Sequence, residues 1–353
     1  METADIFQYK QYSLAKAEKE KFLFSHLLAL HEHHIEKSED YRKVSASIFH
    51  KELKAASDIP YLPVSIFKNH AIKSIADADV FKVLTSSGTT GTVPSRIFLD
   101  KDTANLQTKA LSDIMQYVLG KERLPMLLID TIDVIKNRES FSARGAGILG
   151  MSVFGKNHFY LLDKEMRVNT AGLKDFLANH NGKPMLLFGF TFMVWQYLYE
   201  SGIQADLSNA ILVHSGGWKK MLEKAVDNET FKKKLKERFG IDKVYNFYGM
   251  VEQVGSVFLE CEEGYLHTPN FADVLIRNPY DFSLVKNGES GLIQALSILP
   301  SSYPGHSLLT EDLGTVHGED DCKCGRKGKY FSVQGRMKQA ELRGCSDVLA
   351  VAS

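Results

Sequence analysis

The pattern of apolar and polar positions changes character twice along the chain. From residue 10 to about 60, apolar residues recur at helical spacing in "SLAKAEKEKFLFSHLLALHEHHIEKS", with lysine and glutamate on the other face, which predicts helices. "DIPYLPVSIFKNH" carries prolines that push the preceding residues out of helical geometry and predicts an extended connector. From residue 80, short apolar runs alternate with longer amphipathic stretches. "FKVLTSS", "SRIFLD", "PMLLID", "HFYLLD", "PMLLFGF", "AILVHSGG", "KVYNFYG" and "GSVFLEC" predict strands. "DTANLQTKALSDIMQYVLG", "AGLKDFLANH", "FMVWQYLYESG" and "WKKMLEKAVDNETFKKKLKERFG" predict helices. That alternation predicts an α/β fold with a largely parallel sheet. After residue 255 the helical period is lost. "GYLHTPNFADVLIRNP", "GLIQALSIL", "LLTEDLGTV" and "KYFSVQGR" predict a small β-rich subdomain over about 256–335. The expected division is a helical N-terminal part of the core at 1–79, a core at 80–335 and a C-terminal tail at 336–353.

Composition narrows the class. The 353 residues are 44% apolar, enough for a sizeable core and against global disorder. The 43 basic and 43 acidic side chains cancel, so no electrostatic footprint for nucleic acid exists. No stretch approaches the ~18 uninterrupted apolar residues of a membrane span. The first residues lack the central apolar block of a secretory signal. The expectation is a cytoplasmic protein, in which structural disulfides do not explain its four cysteines. Metal binding, catalysis or plain burial must explain them instead.

Candidate chemistry begins at "LTSSGTTGTVPSRI", residues 84–97. Glycine lets backbone amides approach an anion, and serine and threonine hydroxyls add donors, so a strand followed by this loop suits a polyphosphate. It is not a Walker A loop, because no Gly-Lys-Ser/Thr ending follows. An ordinary Ser/Thr-rich turn is the alternative.

The segment "TSSGTTGTVP" resembles the phosphate loop of the adenylate-forming superfamily, which includes acyl-CoA synthetases and firefly-type luciferases. The resemblance implies that Thr85, Ser86, Ser87, Gly88, Thr89, Thr90 and Gly91 embrace the phosphates of ATP. Where relatives place a lysine, Ser95 and Arg96 follow Pro94, and Arg96 is the candidate substitute, since a guanidinium binds phosphate bidentately. Further segments resemble superfamily motifs in the required order. "HSGGW" implies Ser215, Gly216 and Gly217 along the adenine. "NFYGMVEQ" implies Tyr248 and Gly249 at the adenine face and Glu252 holding Mg2+, with Val251 where threonine is usual. "LLTEDLG" implies Asp312 on the ribose hydroxyls, with Glu311 where glycine is common. "VQGRMK" resembles the hinge that ends the large domain and places Arg336 near ribose or phosphate.

Typical superfamily members carry a further domain after that hinge, whereas 17 residues follow Arg336 here, among them "LRGCSD". That ending, together with "IFKNH" and "SARGAGILGMSVFG", resembles the bacterial luminescence acyl-protein synthetases, the LuxE family, over nearly the whole chain. The resemblance implies an ATP- and Mg2+-dependent enzyme that converts a carboxylic acid, most naturally a fatty acid, into acyl-AMP. It implies transfer of the acyl group to Cys345, with Arg336 and Glu252 also catalytic, and then to a protein partner such as a reductase or carrier protein. A thiolate is a good nucleophile toward an acyl phosphate anhydride, and Arg343 lies two residues from Cys345. Direct transfer to coenzyme A or a carrier-protein thiol is the nearest alternative. A non-catalytic synthetase-like assembly protein is another, favoured by the missing loop lysine and by Val251.

Cys261 and His267 in "ECEEGYLH", with Cys322 and Cys324 in "DDCKCGRKG", match the ligand set of a closed tetrahedral zinc site. Similar Cys and His groupings in phenylacetate-CoA-ligase-like relatives imply a structural Zn2+; free cysteines in turns, or His317 as the fourth ligand, stay open. "HEHH" (His31, His33, His34) reads as a polar helix end, lacking the zinc-protease spacing. Ser152 in "GMSVFG" misses the hydrolase elbow by one residue and reads as structural. Phe190, Phe192, Met193 and Trp195 are expected either to line an acyl pocket facing 142–155 or to fill core.

Overall fold

The computed structural model describes residues 5–49, 51–86, 93–136, 143–253 and 255–337. In chain order its strands are β1 (Leu62–Pro63), β2 (Lys82–Thr85), β3 (Arg96–Leu99), β4 (Leu124–Thr131), β5 (Gly155–Leu162), β6 (Met185–Phe190) and β7 (Ala210–Ser215). They continue with β8 (Lys243–Tyr248), β9 (Phe258–Glu260), β10 (Leu266–His267), β11 (Ala272–Arg277), β12 (Ser290–Ser297), β13 (Ser307–Glu319) and β14 (Lys329–Arg336).

β5, β4, β6, β7 and β8 lie side by side in that order and are all parallel. Their sequences are nearly continuous apolar runs because both faces are covered. Leu127, Ile129, Leu187 and Leu212 pack on one face with Leu173, Trp195 and Phe231. Met126, Leu128, Leu186 and Phe188 pack on the other with Leu23, Leu27, Ile114 and Ile148. This is the expected α/β architecture.

The region after residue 255 continues the same sheet. β9 runs antiparallel on β8, β10 pairs β9 and β14, and β14, β13, β12 and β11 follow as antiparallel neighbours. β1 adds to β13 in parallel, so the proline-bearing connector is extended at Leu62–Pro63 as expected, before a short helix at Ile66–Asn69. β2 and β3 form a separate antiparallel hairpin, and in sequence the glycine- and hydroxyl-rich segment lies between them.

Two expected helices differ in detail. The stretch after Trp218 breaks into a 3-10 segment, Lys219–Lys224, and a helix, Asn228–Phe239. The carboxylate of Asp227 accepts from Thr230 N at 2.7 Å and starts that helix afresh. The stretch after β6 begins as α-helix at Thr191–Met193 and widens to a π-type turn at Val194–Tyr199, a form often found beside functional sites.

The N-terminal helix, Lys16–Lys37, is keyed into the antiparallel half. Lys19 is buried and donates to Thr268 Oγ1 at 2.7 Å and Thr268 O at 3.1 Å; burial lowers its pKa to about 8. The "HEHH" segment is not a purely polar helix end. His34 is fully buried, hydrogen-bonded to Ser74 Oγ (2.8 Å) and Pro300 O (3.1 Å), and stacked on His306 at 4.9 Å. Tyr41 bridges His31 Nδ1 (2.8 Å) and His306 Nε2 (3.1 Å). Helical spacing placed one histidine on the buried face, and the Ser74 hydroxyl and Pro300 carbonyl made that burial tolerable. No helix among the described residues is long and apolar enough to cross a membrane.

Candidate active site

The parallel strands end in a row. Phe190 closes β6 opposite Ser215 of β7, and Ser215 stands opposite Phe247 of β8. In open α/β sheets the crevice beyond the strand C-termini is where ligands bind. Three residues expected to contact nucleotide follow immediately. Ser215 is buried, and its carbonyl accepts from Thr191 Oγ1 at 3.2 Å. Gly216 takes φ +79°, a left-handed conformation that glycine adopts without strain, and a Cβ there would come within 3.3 Å of Phe190. Gly217 and Gly249 are exposed backbone beside the same edge.

Tyr248, the last residue of β8, donates to Asp312 Oδ2 at 2.7 Å. Burial first, and the Asp312 carboxylate second, raise its pKa well above that of an ordinary tyrosine, so it remains a neutral donor. Asp312 lies on β13 directly opposite Arg336 of β14. The Arg336 guanidinium is 3.8 Å from Glu311 and 3.9 Å from Asp312. Thr310 fixes the turn: its hydroxyl donates to Ile293 O (2.8 Å) and accepts from Asp312 N (3.1 Å). Gly335, at φ +112°, forms the bulge that sets the register on which Arg336 meets Asp312.

Glu252 sits in the 3-10 turn Val251–Gln253, 6% exposed, and its carboxylate makes no hydrogen bond or ion pair among the described residues. It is near enough to Tyr248 to add to the rise in that phenol's pKa. Gln253 locks the turn by donating to Ala295 O (3.1 Å) and Gly305 O (3.0 Å). Val251, where a hydroxyl residue is usual, joins Leu84, Ile97 and Met250 in one apolar cluster. That cluster seats the β2–β3 hairpin against the Glu252 turn. Thr85 pairs with Arg96 at the loop end of the hairpin, and Ser86 Oγ accepts from Ser95 N at 2.9 Å. Arg96 is exposed. Ser87, Gly88, Thr89, Thr90 and Gly91 lie outside the described residues, as does Cys345.

A second cluster gathers behind β9 and β14. One ligand atom from each of Cys261, His267, Cys322 and Cys324 lies within 4.8 Å of the other three. Cys261 Sγ is 3.9 Å from Cys322 Sγ, and Cys324 Sγ is 3.4 Å from His267 Nε2. Backbone N–H groups of Glu263 and Tyr265 point at the Cys261 sulfur, and that of Arg326 at Cys324. Burial raises the pKa of the Cys261 and Cys324 thiols and lowers that of His267 to about 3, so the imidazole is neutral. His317 is not part of the cluster; its Nε2 meets Ser332 Oγ at 2.8 Å. Among the described residues no other His, Cys, Asp or Glu grouping could hold a metal in this way.

The family described as acyl-protein synthetase, LuxE, matches residues 2–352. The chain belongs to that family. It is 25% identical over 363 aligned positions to a long-chain-fatty-acid–luciferin-component ligase of Vibrio harveyi, covering 96% of this chain and 89% of the relative. The similarly named Aliivibrio fischeri protein is 24% identical, over 80% of this chain and 76% of its own length. In fold the chain resembles 2-hydroxyisobutyryl-CoA ligase, solved in an open conformation with 2-HIB-AMP and CoA. The TM-score is 0.70 at 17% identity, covering 91% of this chain and 70% of that one.

Within this LuxE-family chain, sequence motifs found Tyr248, Glu252, Asp312 and Arg336, which the fold brings together. They missed Thr310, Arg326, and the pair formed by Asp130 and Arg144. Asp130 had one signal, a charged residue ending a buried apolar strand. The other three become legible only through their partners. Of the expected acyl-pocket residues, Met193 and Trp195 are buried in the core on the Leu127 face of the sheet. Phe190 and Phe192 are partly buried against the same cluster, and Phe190 also meets the helix Ala143–Ser152, where Gly147 comes so close that a Cβ would sit 3.0 Å from its ring. Ser152 donates to Leu149 O at 2.8 Å, an ordinary helix-end bond.

Proposed function

We propose that this acyl-protein synthetase activates a long-chain fatty acid with ATP and carries the acyl group on Cys345 to a protein partner. The observation that carries the reading is the Tyr248–Asp312–Arg336 constellation beside Glu252, seated against the base of the hydroxyl-rich hairpin. The relatives' names supply the substrate class, a long-chain fatty acid, and the kind of acceptor, the protein component of a luciferin system.

The chemistry runs in two displacements. A carboxylate oxygen attacks the α-phosphorus of ATP, the bond to the β-phosphate oxygen breaks, and pyrophosphate leaves. The Cys345 thiolate then attacks the acyl carbon, and AMP leaves with the bonding pair. Asp312 accepts hydrogen bonds from the ribose hydroxyls while Tyr248 holds it in place and offers its ring face to adenine. Arg336 and Arg96 oppose phosphate charge, and the amides and hydroxyls of residues 85–91 supply donors where negative charge builds. Mg2+, when bound, neutralises phosphate oxygens; Glu252, a carboxylate without a cationic partner among the described residues, fits it as a ligand.

Cys345 is eight residues beyond Met337, whose N–H is bonded to Glu311 O at 2.9 Å. At ~3.6 Å per residue, eight residues reach at most about 29 Å, far enough to sweep the Asp312 cleft. Cys261, His267, Cys322 and Cys324 fit Zn2+ as a structural site, with His267 ligating through Nε2. Three thiolates and Zn2+ carry a net charge of about −1, and the buried Arg326 offsets it. A cytoplasmic setting keeps those thiols reduced.

Intact-mass spectrometry after incubation with ATP and mixed fatty acids tests the reading. The expected result is one acyl adduct on Cys345. With Cys345→Ala, pyrophosphate exchange should persist and the adduct should vanish. An unchanged yield of thioester on coenzyme A in that variant, with no adduct in the parent, would replace this reading with a direct ligase.

A further inference from the structure

The motifs above account for the nucleotide but leave the acid's charged head without a partner. The Asp130–Arg144 pair stands at the β4 end of the same row of strand C-termini. Asp130 is the penultimate residue of β4, two beyond Leu128, which pairs with Phe188 of β6; Phe190 lies two beyond Phe188. Asp130 therefore ends its strand beside Phe190, in the row continued by Ser215 and Phe247.

The Asp130 side chain is 0% exposed; one oxygen accepts from Thr131 N at 2.7 Å. Among the described residues, the other has a single contact, Arg144 Nε at 3.1 Å, and no hydrogen bond of good geometry. Burial raises the Asp130 pKa and the Arg144 charge opposes that rise. Arg144 is 30% exposed.

Its position is costly for stability alone. It lies in the first described turn of the helix Ala143–Ser152 and reaches back to the end of β4. Burying a carboxylate to hold it there brings a desolvation penalty that well-packed apolar residues avoid. What the arrangement achieves is direction. Arg144 precedes Gly147 by three residues, so both lie on one helix face, and Gly147 is the point where that face meets Phe190. Asp130 engages the guanidinium through Nε, the edge away from the terminal fork that binds carboxylates bidentately.

We propose that Arg144 binds the carboxylate of the incoming fatty acid, and that Asp130 is the positioning residue that aims its guanidinium past Phe190 into the crevice. This rests on the acid-activating function given above and names the residue that selects an acid over an uncharged chain.

Displacement of a fluorescent long-chain fatty acid from the full-length protein tests it, using myristate and 1-tetradecanol as competitors. The parent should prefer myristate by about tenfold or more, the discrimination expected of one charge-assisted contact. Arg144→Gln should bring the two competitors to near equality without weakening tetradecanol. Arg144→Lys should retain part of the preference, because the charge remains and the fork is lost. Asp130→Asn should fall between parent and Arg144→Gln. Undiminished preference in Arg144→Gln overturns the proposal. If that variant does not fold, undiminished preference in both Arg144→Lys and Asp130→Asn does so. A parent that releases no pyrophosphate with ATP and any acid removes the function itself, whereas an active parent with an indifferent Arg144 removes only this inference.

Discussion

At the scale of single residues, the site is a set of side chains held by neighbours rather than by their own preference. Asp312 is held by Tyr248 O–H at 2.7 Å and by Thr310 through its backbone. Tyr248→Phe removes one hydrogen bond to a carboxylate, worth about 1.5–3 kcal/mol. The KM for ATP should therefore rise about tenfold or more in a pyrophosphate-exchange assay, and the melting temperature should fall by a few degrees. An unaltered KM would separate this pair from nucleotide binding. Arg326 makes the opposite case, a residue with no visible sequence signal beyond its place after Cys-x-Cys-Gly. It is wholly buried, its carbon centre lies 5.0 Å over Tyr12 and 4.7 Å over Tyr117, Nε and Nη2 make no hydrogen bond among the described residues, and Nη2 lies 3.8 Å from the Glu262 carboxylate. If it balances a loaded zinc cluster, Arg326→Met should weaken zinc about 10- to 100-fold in chelator competition, the usual effect of losing an outer partner. Retention of zinc at parental affinity would make Arg326 a packing residue only. Arg144 was invisible for a related reason: an isolated charge in a sequence says nothing until the fold supplies its counterpart, here Asp130 at the end of a buried apolar strand.

At the scale of elements, strands were legible and turns were not. Buried runs such as "MLLFGF" have no other use than a doubly covered strand, and β2 to β14 fall where apolar runs stand. The break at Ala225–Asp227 was missed because lysine and glutamate continue across it at helical spacing, while Asp227 caps a new start. The turns that carry the cysteines depend on Gly264 (φ +83°) and Gly325 (φ +80°), each closing a loop that bonds back to a cysteine carbonyl at 3.0 Å. These loops join β9 to β10 and β13 to β14, the strands that carry Asp312 and Arg336 into place. Stripping metal should therefore lower the melting temperature by several degrees and expose β9–β10 to protease, with zinc restoring both. Full-length protein that melts identically with and without chelator would reduce the cluster to chance proximity.

At the scale of the whole molecule, one sheet runs from β5 to β11, so the cleft proposed for the nucleotide lies where parallel and antiparallel pairing meet at β8 and β9. The change in periodicity after residue 255 was legible; the continuity across it was not, since hydrogen bonding between distant strands leaves no local pattern. The fold also fixes a pH dependence. His34 is buried and neutral with a pKa lowered to about 3, and burial beside other histidines depresses His306 well below its usual range. The unfolded chain takes up those protons near pH 6.5, so stability is complete above that pH and falls as pH drops toward 3. The slope is up to about 1.4 kcal/mol per pH unit for each histidine. Urea unfolding between pH 7.5 and 5 should show this loss, and His34→Gln should flatten it; an equal slope in the variant would assign the loss elsewhere. The attachment of Met337 beside Asp312 has a kinetic corollary. A nucleophile tethered so close to its electrophile experiences a local concentration in the millimolar range, whatever the dilution of the sample. Loading of Cys345 should then be first-order, with a half-life that stays the same as the protein is diluted a hundredfold.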